Sequence, residues 1–273
     1  MSALTRSYKV STSHGLLAVE ERGSANGFPV LLIHGNSTCG GVFQHQMQSK
    51  LAEKYRLIAI DLPGHGESSD APDFMNTYTR PGLASAVVEL LQKMEISELV
   101  IFGWSLGGHI AVELMPQLPK LKGVMITGTP PVPHGGMSQG FKGSPQMGTA
   151  GKEELTIAEA ESFVKHILQK TEPFLLEAVI RADGRFRKRL MEGARAGLGI
   201  DQRTTVTEST IPIAVVNGGE DPIVNLDYFD TVPFGNLWQG KYQRLEGLGH
   251  APFWEEPAVF NPILESFLQD VIK

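Results

Sequence analysis

The chain has a single cysteine, Cys39, among 273 residues. One thiol cannot close an internal disulfide, so a small scaffold stapled by bridges is excluded. No apolar run approaches the roughly 18 residues that cross a bilayer as a helix. The opening segment lacks the basic-then-apolar succession of an export signal, which makes a soluble, cytoplasmic protein the expectation. Basic charge is also in short supply, with 24 Lys and Arg against 30 Asp and Glu for a net charge of -6. A nucleic-acid partner would need a basic face to neutralise phosphates, so none is expected. The one dense basic run, Arg185 to Arg189, is interrupted by Phe186 and reads as a solvated helix face. His14, His45, His109, His134 and His166 lack metal-ligand spacing with Cys, Asp or Glu. The glycines of Gly103 to Gly108 are not followed by the Lys and Ser/Thr of a phosphate-binding loop. Neither a metal nor any other cofactor is expected.

What is present is ordinary globular material, 41% hydrophobic and 20% charged. The length suits one core domain of about 200 residues with an insert. Tyr8-Lys9-Val10 and Leu16-Leu17-Ala18-Val19 flank His14-Gly15 as an antiparallel hairpin would. Continuous apolar runs at 30–33, 57–60, 99–102, 124–127 and 213–216 read as strands buried on both faces, with a weaker strand over 242–245. Helices are predicted over 43–51, 81–94 and 257–271. This alternation is that of a parallel α/β sheet. Between residues 130 and 151 the chain turns rich in Pro, Gly and Ser, and from Thr156 to about Leu198 only helical patterns appear. Thr156 with Glu159 forms a capping-box pattern, and Asp183-Gly184 separates two later helices. The expected division is therefore a core of residues 1–129 and 209–273 carrying a helical cap at 130–208.

The chemistry gathers at the ends of the predicted strands. Gly103-Trp104-Ser105-Leu106-Gly107 sits between a strand and a helix. A turn that sharp strains its middle residue and leaves no room for side chains two positions away, so its glycines lift the Ser105 hydroxyl clear of the sheet. A serine hydroxyl needs an adjacent base, and His250 lies in a glycine-flanked loop after the last strand. Asp221, in Gly219-Glu220-Asp221-Pro222, follows the strand before it and is preferred over Glu220 as the histidine's partner because Pro222 fixes the turn. The order Ser, Asp, His is the one such a triad takes on this kind of sheet. Backbone N–H groups of Asn36 and Leu106 are the expected oxyanion donors, with His34 supporting the Asn36 loop and bordering the pocket. Trp104, Phe141, Phe163 and Phe174 are candidates to line an aromatic substrate pocket, and Cys39 reads as an inert packed residue.

These landmarks, together with His34-Gly35 and Asp61-Leu62-Pro63-Gly64-His65-Gly66-Glu67-Ser68, resemble the capped, serine-nucleophile group of the α/β-hydrolase superfamily. That group includes carboxylesterases, lactonases, C–C bond hydrolases, epoxide hydrolases and cofactor-free haloperoxidases. The resemblance implies a mostly parallel eight-stranded sheet flanked by helices, with structural roles for Asp61 and His65. It implies a serine hydrolase of a small, largely apolar ester, lactone, amide or activated ketone. An elbow serine instead of aspartate argues against epoxide hydrolysis and dehalogenation. Some relatives are cofactor-free dioxygenases that open 3-hydroxy-4-quinolone rings, with the acidic partner able to follow the strand before the cap. Here that place reads Thr127-Gly128-Thr129-Pro130, without an acid. A non-catalytic ligand receptor on the same scaffold is a third reading, opposed by the intact Ser, Asp and His set.

Overall fold

The computed structural model describes residues 4–143 and 148–273. Residues 144–147, part of the expected Pro-, Gly- and Ser-rich loop, lie outside that description. The strands are β1 (Leu4–Thr12), β2 (Gly15–Gly23), β3 (Phe28–Ile33), β4 (Tyr55–Ile60), β5 (Leu99–Trp104), β6 (Leu121–Thr127), β7 (Ile213–Gly218) and β8 (Gln243–Leu245). They form one eight-stranded sheet in the order β1-β2-β4-β3-β5-β6-β7-β8. β1, β2 and β4 pair antiparallel, and β4 to β8 pair in parallel. Each apolar run named above falls within a strand, because a parallel sheet covered on both faces buries every side chain. β5 shows this most fully, with all six residues buried.

The longer helices are α1 (Arg80–Lys93), α2 (Leu106–Leu114), α3 (Ile157–Ile167), α4 (Pro173–Arg181), α5 (Gly184–Arg195), α6 (Gln202–Glu208) and α7 (Pro257–Val271). Thr79 caps α1 by accepting from Gly82 N–H, and Pro81 sits in the first turn, where its missing donor costs nothing. Leu83, Val87, Leu90 and Leu91 of α1 are buried. α2 packs on the face of β5 that carries Gly103. The opposite face carries an aromatic cluster in which Phe102 meets Phe43, Phe253 and Phe260 of α7.

One predicted helix is broken. In place of a helix over 43–51 there are short turns at Gly40–Phe43, Gln44–Met47 and Leu51–Lys54. Ser49 explains the gap: its hydroxyl donates to Gln46 O and accepts from Leu51 N–H, competing with the helical bonds.

Between β6 and β7 the longer elements are helical, α3 to α6. α3 begins with the capping box of Thr156 and Glu159, and Asp183 caps α5. The basic run on α5 is not uniformly solvated. Arg187 is buried, and its guanidinium donates to Lys152 O and Glu153 O, because its place on the helix faces inward. Among the described residues no helix is long and apolar enough to cross a membrane.

Candidate active site

Parallel strands end on one edge of a sheet, which brings together loops far apart in sequence. β5 ends at Trp104, and Ser105 turns the chain into α2 with φ 53° and ψ -115°. A non-glycine residue held there is strained, and such strain persists where its surroundings over-determine it. The surroundings here are tight. A Cβ at Gly103 would lie 2.4 Å from Gly107 O, and one at Gly107 would lie 1.9 Å from Ile33 O. Only glycine lets α2 approach β5 and β3 so closely. Ser105 N–H donates to Thr127 O, and its own carbonyl accepts from the Thr129 hydroxyl, tying the turn to the end of β6.

His250 and Asp221 come from the loops after β8 and β7. His250 Nδ1 and Asp221 Oδ2 are 2.7 Å apart, and both residues are buried. Asp221 Oδ1 accepts from Ile223 N–H and Val224 N–H. Burial alone would raise the Asp221 carboxyl, but His250 and these donors outweigh it and hold the group below its ordinary value. The neighbouring Glu220 points outward and is exposed. The His250 loop is held by Glu255, a buried carboxylate that accepts from Gly249 N–H and Ala251 N–H on either side of the histidine. His250 O in turn accepts from Trp104 Nε1. Gly128, at φ +64°, lies directly against the imidazole.

Ser105 and His250 line one cavity of about 110 Å³. Asn36 and Leu106 border it, Leu106 as the first residue of α2. Among the described residues no backbone hydrogen bond occupies either of their N–H groups. The remaining wall is mostly apolar: Trp104, Met137 and Phe141, then Phe163, Ile167 and Leu190 from the helices between β6 and β7. Of the other sequence candidates, Phe174 lies elsewhere, against Trp254. Cys39 shares an outer groove with Phe174, and burial pushes its thiol up to about 12, which leaves it protonated. His34 is not on the cavity wall. It is buried behind it, with Nε2 accepting from Leu62 N–H and Nδ1 donating to Gly35 O. Asp61 braces two loops by accepting from Gly40 N–H and Glu67 N–H, and His65 accepts from Ser37 N–H.

The sequence reading missed four polar residues. His109 and Arg80 line the cavity, as does His166, while Glu255 anchors the histidine loop. His109 was open to discovery, since four residues after Ser105 means one helical turn along α2. Burial, reinforced by Arg80, lowers His109 to about 4, and its Nδ1 lies 2.6 Å from Gln202 Oε1. Arg80 and His166 reach the site only through packing of distant elements. Among the described residues no three His, Cys, Asp or Glu side chains are grouped so as to hold a metal ion.

A model of the alpha/beta hydrolase family matches residues 30–263. The chain belongs to the alpha/beta hydrolase family. As a member of it, the chain resembles a crystal structure of a mutant of the N-acyl homoserine lactonase AidH, complexed with N-hexanoyl homoserine. The two are 44% identical with a TM-score of 0.96, and the match covers 98% of each chain. A second mutant of AidH, complexed with N-hexanoyl homoserine lactone, matches at 44% identity and a TM-score of 0.95 over 97% of this chain and 98% of that one. Pimeloyl-[acyl-carrier protein] methyl ester esterase of Nitrosomonas europaea is 26% identical over 87% of this chain and 94% of its own length.

Proposed function

We propose that this alpha/beta hydrolase is a serine hydrolase that opens the ring of N-acyl homoserine lactones. The observation that carries the substrate class is the 44% identity to an N-acyl homoserine lactonase over 98% of both chains. The cavity supports it, because a strained serine and a carboxylate-held histidine face one small, largely apolar space.

In this reading Ser105 Oγ attacks the lactone carbonyl carbon while His250 takes the hydroxyl proton. The tetrahedral oxyanion is met by the N–H groups of Asn36 and Leu106. The ring C–O bond then breaks, and His250 returns the proton to the leaving alkoxide, which stays tethered to the acyl group. Water, deprotonated by His250, attacks the acyl-enzyme. Ser105 leaves with that proton, and N-acyl homoserine is released. Asp221 keeps the His250 tautomer with Nδ1–H towards itself and stabilises the imidazolium. Residues 130–208 act as a lid over the core formed by 1–129 and 209–273. Support for this comes from Phe163, Ile167 and Leu190 of that segment, which line the cavity that Ser105 opens into. The lid shelters the acyl-enzyme and selects the acyl group.

Ring dioxygenation has weaker support. Its acid would follow β6, where Gly128 leaves no room: a Cβ there would lie 2.5 Å from His250 Cε1.

The test is incubation with N-hexanoyl homoserine lactone, following N-hexanoyl homoserine by mass and dissolved oxygen by electrode. Ring opening without oxygen uptake, lost in Ser105→Ala, is the expected result. Turnover of simple esters with no lactone opening would refute the substrate class.

A further inference from the structure

The cavity wall carries few polar side chains, and nearly all of them are already occupied. Asn36 uses both ends of its amide, donating to Ala150 O and accepting from the Ser37 hydroxyl. Trp104 Nε1 donates to His250 O, His109 is paired with Gln202, and His250 Nδ1 is paired with Asp221. Arg80 Nε is without a hydrogen bond, yet it faces Glu113 Oε1 across 3.6 Å.

His166 is different. It lies in the last turn of α3, and it is among the residues that line the same cavity as Ser105 and His250. Its Nε2 is enclosed and has no hydrogen-bond partner among the described residues. Burial first, then the neighbouring His250, lowers its pKa, so the ring is neutral near pH 7. A neutral imidazole offers one N–H donor and one lone pair. A polar atom enclosed without a partner costs free energy in the folded protein, and a ligand that supplies the partner recovers it.

We infer that His166 is a specificity-determining residue that hydrogen-bonds the amide of an N-acyl substrate. The inference rests on the lactonase reading above and deepens it. In an N-acyl homoserine lactone the amide nitrogen is two bonds from the carbonyl carbon that Ser105 attacks. With that carbon at Ser105, an amide two bonds away stays within the cavity that His166 also lines. The amide presents one donor and one acceptor, the complement of a neutral imidazole. A simple alkyl lactone or methyl ester presents neither there, and it leaves the enclosed nitrogen unmet. A site that hydrogen-bonds its substrate in this way discriminates against analogues lacking the group far more strongly than an apolar wall can.

The experiment compares kcat/KM for N-hexanoyl homoserine lactone and for an α-alkyl-γ-butyrolactone of matched length, in which methylenes replace the amide. The native enzyme is expected to prefer the amide-bearing lactone by on the order of 10³-fold or more, beyond what an apolar contact gives. His166→Phe, which keeps a ring but no hydrogen-bonding atom, brings the ratio close to parity. His166→Asn, which keeps a donor and an acceptor, holds more of the preference than His166→Phe. A ratio within one enzyme is insensitive to how much of it is folded, so a structural role for His166 would leave the ratio unmoved. Retention of the native ratio in His166→Phe overturns the inference, as does parity in the native enzyme. Failure of the native enzyme to open either lactone overturns the proposed function instead, and the inference with it.

Discussion

Gly128 lies against the imidazole of His250 so closely that a Cβ at position 128 would sit 2.5 Å from Cε1 and 2.8 Å from Nδ1. Gly128 N–H donates to Asn217 Oδ1, so the backbone there cannot withdraw without breaking that bond. Gly128→Ala therefore has to move the histidine. A displacement of about 1 Å at a reacting group costs on the order of 10²-fold in turnover. That loss in kcat, with a shifted His250 ring in the variant's crystal structure, is the expected outcome. Native turnover would mean that the ring's position is not critical.

Ser105→Ala and His250→Ala should each abolish lactone opening to a similar extent, and the double variant should be little worse. Groups that act as one unit are non-additive in this way. Single-turnover kinetics on all three proteins makes the comparison. If His250→Ala were dead while Ser105→Ala was only impaired, the histidine would be acting on substrate directly and the acyl-enzyme route would fail.

Asp221→Asn should lower kcat by on the order of 10⁴-fold, the loss seen when a triad carboxylate stops holding the histidine's tautomer. Glu220→Gln should change little, since Glu220 is exposed while Asp221 is buried and bonded to His250. A crippling Glu220→Gln would reverse the assignment.

Acid should weaken the fold before it protonates Asp221. His109 is expected to titrate near 6.5 in the unfolded chain and about 4 in the folded one. A histidine whose pKa falls on folding contributes its full stability above the unfolded value, and that contribution is lost as pH drops from 6.5 towards 4. For His109 the whole effect is roughly 3 kcal/mol, and buried His34 and His65 act with the same sign. Asp221 adds a second loss at lower pH, because its depressed folded value stabilises only above the ordinary carboxylate range. Urea unfolding between pH 7 and 4 should show a falling free energy, with a shallower slope in His109→Gln. An unchanged slope in that variant would remove His109 from the account.

Met191 and Phe163 line the cavity from the segment between β6 and β7. Met191→Ala and Phe163→Leu should shift the acyl-length preference of kcat/KM, while a small fluorophosphonate still labels Ser105. An acyl preference identical to the native one in both variants would overturn the proposed role of this segment in substrate selection.

Much of the core was legible because its signals are local. The apolar runs of β3 to β7 mark strands buried on both faces, and a strained serine between two obligatory glycines marks the elbow at Ser105. The helix over 43–51 was misread because a single side chain, Ser49, competes with the backbone, and periodicity does not register that. Arg187 was misread because a charge run says nothing about which of its members faces inward.

Sequence alone determined the order of the strands and put forward Ser105, Asp221 and His250 as candidates, since turn chemistry and buried strands are written in neighbouring residues. Only the tertiary structure decided which side chains share the cavity. It put Phe163 and His166 there and left Phe174 and His34 out. The physical reason is that a cavity wall is assembled by packing of elements distant in the chain, and packing depends on where each helix settles against the sheet.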